Sequence, residues 1–177
     1  MLKGRTTVHH KSHHSHHNHL CFTEKEIEAS IQDIVKQVVG KMVHLDRYPA
    51  VYLVPHLEDI LNRRRRKRRG EPDNSCPNLQ SSQENGPIHD RSISPWSYRI
   101  DIDESRYPQK LAFAQCLCSG CIDPNSGTET ASLNSVPIDQ TMMVLRKKRC
   151  PNQLSSYMFE TEYIKVPVGC TCVIPRQ

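Results

Sequence analysis

The sequence predicts an all-β core of antiparallel strands held by intrachain disulfides, preceded by a partly helical or disordered N-terminal extension. Two observations carry this prediction. From Ile93 onward, apolar side chains alternate with polar ones in four long stretches separated by turn residues, a pattern typical of β-strands. Near the end of the chain, Cys170 and Cys172 share one face of such a strand. They cannot easily bond to each other, so each requires a partner elsewhere.

The number and spacing of the cysteines indicate whether the protein folds in an oxidising or a reducing compartment. The part of the chain that could bury a core is about 90 residues, a size at which folding often needs covalent support. The pattern C-x-C-x-x-C, followed far downstream by C-x-C, does not match a zinc knuckle, and the ordered half offers only His89 as a further ligand. We therefore predict disulfides in a secreted, extracellular protein, with no metal and no cofactor. The eight cysteines are Cys21, Cys76, Cys116, Cys118, Cys121, Cys150, Cys170 and Cys172.

Residues 1–22 are predicted to form a disordered, His-rich tail. Histidine tracts can bind transition metals, but a polar tail that gains charge at mildly acidic pH is the simpler interpretation. These residues show no apolar core of a signal peptide, and the prediction of secretion rests on the cysteines alone. No segment is apolar and long enough to span a membrane, so membrane insertion is not expected. The histidines are His9, His10, His13, His14, His16, His17 and His19.

Residues 23–75 are predicted to form a helical, basic extension. Thr23 and Glu26 form a capping-box pattern, and the isoleucines and valines that follow at helical spacing predict a helix from about 24 to 43. A second, short helix is expected from about residue 56, after Pro55. Two alternatives stay open: the extension is a pro-segment or partner-binding arm, or its helix packs on its own domain.

Seven consecutive basic residues occupy positions 63–69. The excess positive charge of the chain lies entirely before residue 76, because residues 76–177 contain as many acidic as basic residues. The run is consistent with cleavage by a furin-like protease, with binding to heparan sulfate, with nuclear import or with a solvated linker. We favour cleavage, and we expect no nucleic-acid partner, since nuclear import conflicts with the disulfides. The predicted cleavage residues are Arg66, Lys67, Arg68 and Arg69.

Residues 70–90 are rich in Pro, Asn, Ser, Gln and Gly and are predicted to be a linker. The first predicted strand alternates Tyr98, Ile100 and Ile102 with charged residues. The second runs through 111–118, and a turn at 123–127 precedes the third and fourth, expected near 136–149 and 157–174.

Short motifs in a fixed order then identify a resemblance. They are Arg-Ser-Ile-Ser-Pro-Trp-Ser-Tyr at 91–98, Asp-Glu-Ser-Arg-Tyr-Pro at 103–108, Ala-Gln-Cys at 114–116, Gly-Cys-Ile at 120–122, Leu-Asn-Ser-Val-Pro at 133–137 and Val-Gly-Cys-Thr-Cys-Val at 168–173. In series they resemble the interleukin-17 cytokine family over about 90 residues. The resemblance places an interleukin-17-like cystine-knot domain at 76–177.

The resemblance implies a cystine-knot-like fold and a disulfide pattern. Carried over by position, Cys116 pairs with Cys170 and Cys121 with Cys172. The alternation of side chains along the strand would alone favour Cys118 over Cys121 as the second bonded cysteine, because Cys118 shares a face with Cys116. The family also links a cysteine that precedes a proline to one after the third strand, which implies a Cys76–Cys150 bond, within or between chains. Cys21 and Cys118 are then left to pair.

The resemblance further implies a secreted, homodimeric cytokine that binds interleukin-17 family receptor ectodomains and triggers inflammatory and epithelial innate defence signalling. Large aromatic and arginine side chains often dominate protein interfaces. Core packing is the alternative for Trp96 and Tyr107. The predicted receptor contacts are Trp96, Tyr98, Arg106, Tyr107, Pro108, Asn134, Ser135 and Val136.

Two other classes of protein share part of the cysteine pattern. A thiol oxidoreductase could use Cys118 and Cys121, but such motifs normally open a helix in a βαβ unit, which the pattern here does not predict. We therefore expect no enzyme activity. A different cystine-knot growth-factor-like ligand or antagonist is the alternative; the motifs around Trp96 and Asn134 argue against it.

Overall fold

The structure is a computed structural model that describes residues 20–40, 44–66, 75–79 and 86–176. All of the described helices lie between the first strand and the second. The helices are α1 (Glu24–Val39), α2 (Pro49–Tyr52), α3 (Val54–Arg66) and α4 (Ile88–Arg91), with a 3-10 helix at Leu45–Arg47. The strands are β1 (Phe22–Thr23), β2 (Trp96–Ile102), β3 (Arg106–Tyr107), β4 (Lys110–Cys116), β5 (Gly120–Ile122), β6 (Glu129–Cys150) and β7 (Gln153–Val173).

The predicted all-β core with antiparallel pairing is confirmed. Strands β6 and β7 form one long hairpin, and its sheet has the order β1-β7-β6-β3, with β5 also pairing β6. Strands β2 and β4 form a separate two-stranded sheet. The hairpin strands extend beyond the predicted stretches, because β6 begins at Glu129 and β7 at Gln153.

The hairpin is buried on both faces in its middle, where β6 reads Met142-Met143-Val144-Leu145. Side chains alternate between faces along a strand. Met142 and Val144 pack with Leu111 of β4 and Ala50 of α2. Leu145 packs instead with Ile34 and Val35 of α1. A strand covered on both sides has a continuous apolar run, and this explains why the alternation is lost here.

Helix α1 begins as the sequence predicted. The Thr23 hydroxyl accepts the Glu26 backbone N–H at 3.4 Å, and the Glu26 carboxylate accepts the Thr23 backbone N–H at 2.7 Å, which completes a capping box. The helix ends at Val39 rather than near 43, because Gly40 adopts a φ of 86° that leaves the helical region. Helix α3 begins at Val54, two residues earlier than expected. Pro55 lies in its first turn, where the missing N–H costs nothing.

Two predictions about disorder and linkers were wrong. Residues 20–22 were assigned to the tail, but Cys21 forms a disulfide and Phe22 pairs with Tyr157 of β7. Residues 88–90 were assigned to the linker, but they belong to α4. The rest of the predicted tail, residues 1–19, lies outside the described residues.

The disulfides agree with the sequence prediction in two of four cases. The structure joins Cys116 to Cys170 and Cys121 to Cys172, the pairs that the resemblance implied. It joins Cys21 to Cys150 and Cys76 to Cys118, which corrects the predicted Cys76–Cys150 and Cys21–Cys118 bonds. All eight cysteines lie among the described residues, and each is paired within the chain.

Strand pairing explains the correction at Cys21. Strand β1 pairs with Tyr157 and Ser156 of β7, next to the turn that joins the hairpin strands. Cys150 lies at that turn, opposite Gln153. The Cα atoms of Cys21 and Cys150 are therefore 6.2 Å apart. Cys118 lies between β4 and β5, where its Cα is 4.7 Å from that of Cys76.

Of the two alternatives for the extension, the structure supports packing on its own domain. Ile34 and Val35 of α1 are buried against Phe159 of β7. Disulfides tie both ends of the extension to the strands, at Cys21 and at Cys76.

Candidate functional site

The predicted receptor residues fall into two clusters at different positions along the hairpin. Ser135 pairs with Cys172 near one end of β6, whereas Tyr107 of β3 pairs with Leu145, ten positions further along. At about 3.4 Å per residue, the two places are on the order of 30 Å apart. The knot-end cluster comprises Trp96, Tyr98, Asn134, Ser135 and Val136, and the turn cluster comprises Arg106, Tyr107 and Pro108.

Trp96 and Tyr98 in the knot-end cluster pack on strand β7. A Cβ on Gly169 would lie only 3.2 Å from the Trp96 ring, so the indole covers this glycine closely. The Trp96 Nε1–H is buried, without an acceptor among the described residues. The Tyr98 hydroxyl donates to the Val168 carbonyl at 3.3 Å. Both side chains are half-buried, so each offers only part of its surface to a partner.

The second half of the knot-end cluster is partly internal. The hydroxyls of Ser135 and Ser94 are 2.6 Å apart, and the Ser135 backbone N–H donates to Ser119. Ser135 therefore links β6 to the segment before β2. Asn134 is exposed and Val136 half-buried, which leaves these two better placed for contact with another protein.

Arg106 in the turn cluster does not face solvent. Its side chain is 5% exposed. The guanidinium donates to the Pro108 and Gln109 carbonyls, each at 3.1 Å, and to the Asp101 carboxylate at 2.9 Å. The predicted receptor contact at Arg106 is corrected accordingly: this side chain holds the turn after β3 and so positions Tyr107 and Pro108.

Tyr107 lies under the N-terminal extension. Its hydroxyl accepts a hydrogen bond from the Gln32 amide of α1 at 2.7 Å. Burial raises the pKa of Tyr107, the nearby Asp46 carboxylate raises it further, and the Gln32 bond opposes both. The phenol is therefore neutral at physiological pH and serves as a hydrogen-bonding contact between α1 and the turn cluster.

An ion-pair cluster fixes the same turn to the hairpin. The Asp103 carboxylate accepts from the Ser105 hydroxyl at 2.7 Å and from Arg146 at 2.6 Å, and Arg146 also donates to Glu162 at 2.7 Å. The Ser105 hydroxyl and the Arg146 guanidinium are the main causes that lower the pKa of Asp103 to about 2.

This cluster predicts a loss of stability in acid. Because the pKa of Asp103 is depressed in the fold, its contribution is complete above its ordinary pKa and is lost as the pH falls towards 2. We expect Asp103→Asn to lower Tm at neutral pH and to reduce the fall in Tm between about pH 5 and about pH 2. Thermal unfolding followed by circular dichroism measures both. The control is Asp139→Asn at an exposed position, and equal pH profiles for wild type and Asp103→Asn would contradict the assignment.

A groove opens beside the turn cluster, between α1 and the segment 104–110. Its volume is about 620 Å³. The α1 wall carries Ile27 and Ile31, Phe159 of β7 lies inside, and Tyr107 and Pro108 form the opposite wall. The groove thus brings two of the predicted receptor residues, Tyr107 and Pro108, together with the N-terminal extension.

The basic run is described only in part. Arg63, Arg64, Arg65 and Arg66 form the last turn of α3. Lys67, Arg68 and Arg69 lie outside the described residues. Cleavage at the run stays a prediction, and proteases of this type require an extended chain, which helical Arg66 does not offer.

The sulfur chemistry weighs against the oxidoreductase alternative. Cys118 bonds to Cys76 and Cys121 to Cys172, so the two are not partners in a redox pair. Cys76, Cys118 and Glu129 lie close together, but a disulfide offers no thiolate ligands to a metal. Within the described part of the chain, no helix combines the length and apolar character needed to cross a membrane.

Comparison with known proteins decides the family. A family model described as Interleukin-17 matches residues 92–174. Human interleukin-17C is 42% identical over 170 residues, which cover 92% of this chain and 85% of that protein. The chain belongs to the interleukin-17 family. Mouse interleukin-17C is 41% identical over 169 residues, covering 92% of this chain and 86% of that protein. Rat interleukin-17F is 48% identical over 88 residues, half of this chain and 52% of that protein.

Family membership defines the class of protein. The chain is an interleukin-17 family cytokine, and this family consists of signalling ligands and not enzymes. The cysteine cluster at 116–121, the stretch 107–114 and the His-rich N-terminus predict similarity to the interleukin-17C branch, which the two interleukin-17C relatives confirm. Their matches span nearly the whole chain, so the similarity includes the extension and not the knot alone.

Proposed function

We propose that this chain is a secreted, homodimeric cytokine that binds the ectodomains of interleukin-17 family receptors and triggers inflammatory and epithelial innate defence signalling. The observation that carries the proposal is the similarity to human interleukin-17C over 92% of the chain. A symmetric dimer presents two copies of each surface at a fixed distance, which allows two receptor chains to be brought together.

The described structure is compatible with a role in binding. The large side chains of Ile138 and Tyr163 are exposed on the hairpin, at 47% and 71%, and their apolar surface is available to a partner. The receptor contacts that we propose are Trp96, Tyr98, Tyr107, Pro108, Asn134 and Val136, with Arg106 and Ser135 as supporting residues.

The direct test is binding to a panel of interleukin-17 family receptor ectodomains. Disulfide-intact protein is passed over each immobilised ectodomain, and the reduced and alkylated protein serves as the control for non-specific binding. We expect saturable binding to at least one ectodomain and a reporter response in cells that express it. Absence of binding to every member of the panel would refute the proposed function.

We also propose that the basic end of α3 binds heparan sulfate. Arg63, Arg65 and Arg66 are exposed and form no ion pair among the described residues. Clustered unpaired cations attract sulfated glycans, and the attraction weakens with salt.

A heparin column tests this partner. Arg63→Gln with Arg65→Gln and Arg66→Gln is expected to elute at clearly lower salt than wild type, because three unpaired cations are removed. Arg149→Gln with Lys165→Gln and Arg176→Gln removes the same number of exposed cations elsewhere and is the matched control. Equal shifts for both variants would show attraction to net charge alone and would refute a site on α3.

A further inference from the structure

We propose that the groove between α1 and segment 104–110 receives an exposed receptor segment in which an apolar side chain lies next to a lysine or arginine. The N-terminal extension would then supply one wall of a receptor contact and not merely precede the ligand. This inference rests on the proposed function and adds to it the site and the chemistry of the bound segment.

The interior of the groove is apolar and comes from both parts of the chain. Ile27 and Ile31 of α1 both line the groove and are half-buried, and the backbone of Ser30 between them departs from helical geometry. Phe159 of β7 is 8% exposed and lies inside, and Val51 and Val54 close the groove from the side of α2 and α3. A groove of about 620 Å³ with such walls has room for one or two large apolar side chains.

The groove is lined by three carboxylates and three cations, but two of the carboxylates have no cationic partner among the described residues. Each of its cations is neutralised by a partner within the chain: Lys147 by Glu24 at 2.6 Å, Arg106 by Asp101 at 2.9 Å, and Lys110 by Glu58. Glu28 on α1 and Glu104 before β3 also line the groove. Neither forms an ion pair or a hydrogen bond among the described residues. Complementarity therefore favours a cationic group on the segment that binds.

The wall formed by α1 is held in place before any partner arrives. The Cys21–Cys150 disulfide fixes the chain just before α1, and the Gln32–Tyr107 hydrogen bond joins its middle to the opposite wall. The Lys147 ammonium also lies 4.2 Å from the Tyr157 ring centroid, and this contact helps to hold it in position for the ion pair with Glu24. A preformed groove requires little ordering on binding, and that favours affinity.

Charge reversal at the two unpaired glutamates tests the proposal. Glu28→Lys with Glu104→Lys places two cations on the rim, and both positions are exposed, so the fold should be retained. Asp59→Lys with Asp139→Lys makes the same change in net charge at exposed positions away from the groove and is the matched control. All proteins are full-length and disulfide-intact, with Tm and near-ultraviolet circular dichroism measured to verify folding.

Affinity is measured by surface plasmon resonance on a receptor ectodomain that binds wild type, at several salt concentrations. We expect the groove variant to bind at least about tenfold more weakly and the control to stay within about twofold. Wild-type affinity should fall as salt rises, and this dependence should be reduced in the groove variant.

The other outcomes overturn the proposal, and they distinguish failure of the groove from failure of the proposed function. Unchanged affinity of the groove variant refutes the groove but leaves the proposed function standing. Failure of wild type to bind any ectodomain refutes the proposed function, and the groove proposal with it. If light scattering shows that Glu28→Lys with Glu104→Lys dissociates a dimer, the groove is an interface between two copies of this chain and not a receptor site.

Discussion

Replacing Cys21 and Cys150 together with serine is expected to lower the free energy of unfolding by about 4 to 5 kcal/mol in the chain-entropy model. The reason is the connectivity of the remaining bonds. With this disulfide gone, the shortest remaining path between the two positions runs through the Cys76–Cys118 and Cys116–Cys170 bonds, over roughly 80 residues. The unfolded chain therefore gains much freedom, and α1 loses the attachment at its N-terminal end.

Replacing Cys116 and Cys170 with serine is expected to destabilise the protein less than replacing Cys21 and Cys150. Cys121 and Cys172 lie within a few residues of these positions and stay bonded, so the unfolded chain remains closed through a path of roughly 8 residues. The same model then gives only about 2 to 3 kcal/mol. Urea unfolding monitored by circular dichroism measures both values. A larger loss for the Cys116–Cys170 variant than for the Cys21–Cys150 variant would contradict the described connectivity.

Replacing Gly120 with alanine is expected to cost more than about 3 kcal/mol or to prevent folding. A Cβ at this position would lie 2.1 Å from the Thr130 carbonyl oxygen, which belongs to the paired backbone of β6 and cannot rotate away. The Gly120 N–H also donates to the Glu129 carboxylate at 2.6 Å, so strand β5 cannot shift without losing this bond. Displacement of β5 would move Cys121 away from Cys172 and lower the yield of their native disulfide during oxidative refolding.

Gly169→Ala is the matched control for this change. Its Cβ would approach the Trp96 ring at 3.2 Å, and a half-buried side chain can yield by a few tenths of an ångström. We expect a cost of about 1 kcal/mol, with the native disulfides retained. Yield of correctly bonded protein after refolding and urea unfolding of the folded fraction measure the difference. Similar behaviour of the two variants would show that the backbone contact at Gly120 is not rigid.

The features that follow from local pattern were predictable from the sequence. The capping box at Thr23 and Glu26 fixed the start of α1, and period-two alternation located β2 at Tyr98, Ile100 and Ile102. The family motifs, which are short and ordered, supplied the bonds of Cys170 and Cys172. None of these requires knowledge of how distant segments pack.

The features that depend on long-range packing were not predictable. The partner of Cys21 depends on β1 pairing with β7, and a two-residue strand has no periodicity to detect. Arg106 resembles a surface anchor in sequence, and only the turn carbonyls and Asp101 reveal that it is buried. The groove depends on the position of α1 relative to Tyr107. The apolar spacing of α1 indicated one buried face but not which surface would cover it.

The N-terminal extension and the strands form one folded ligand, with a disulfide at each end of the extension. Peptide mapping of the intact protein under non-reducing conditions tests it most directly. We expect one peptide pair that joins Cys21 to Cys150 and another that joins Cys76 to Cys118. A Cys76–Cys150 pair, or a Cys21 thiol that alkylates without reduction, would contradict it.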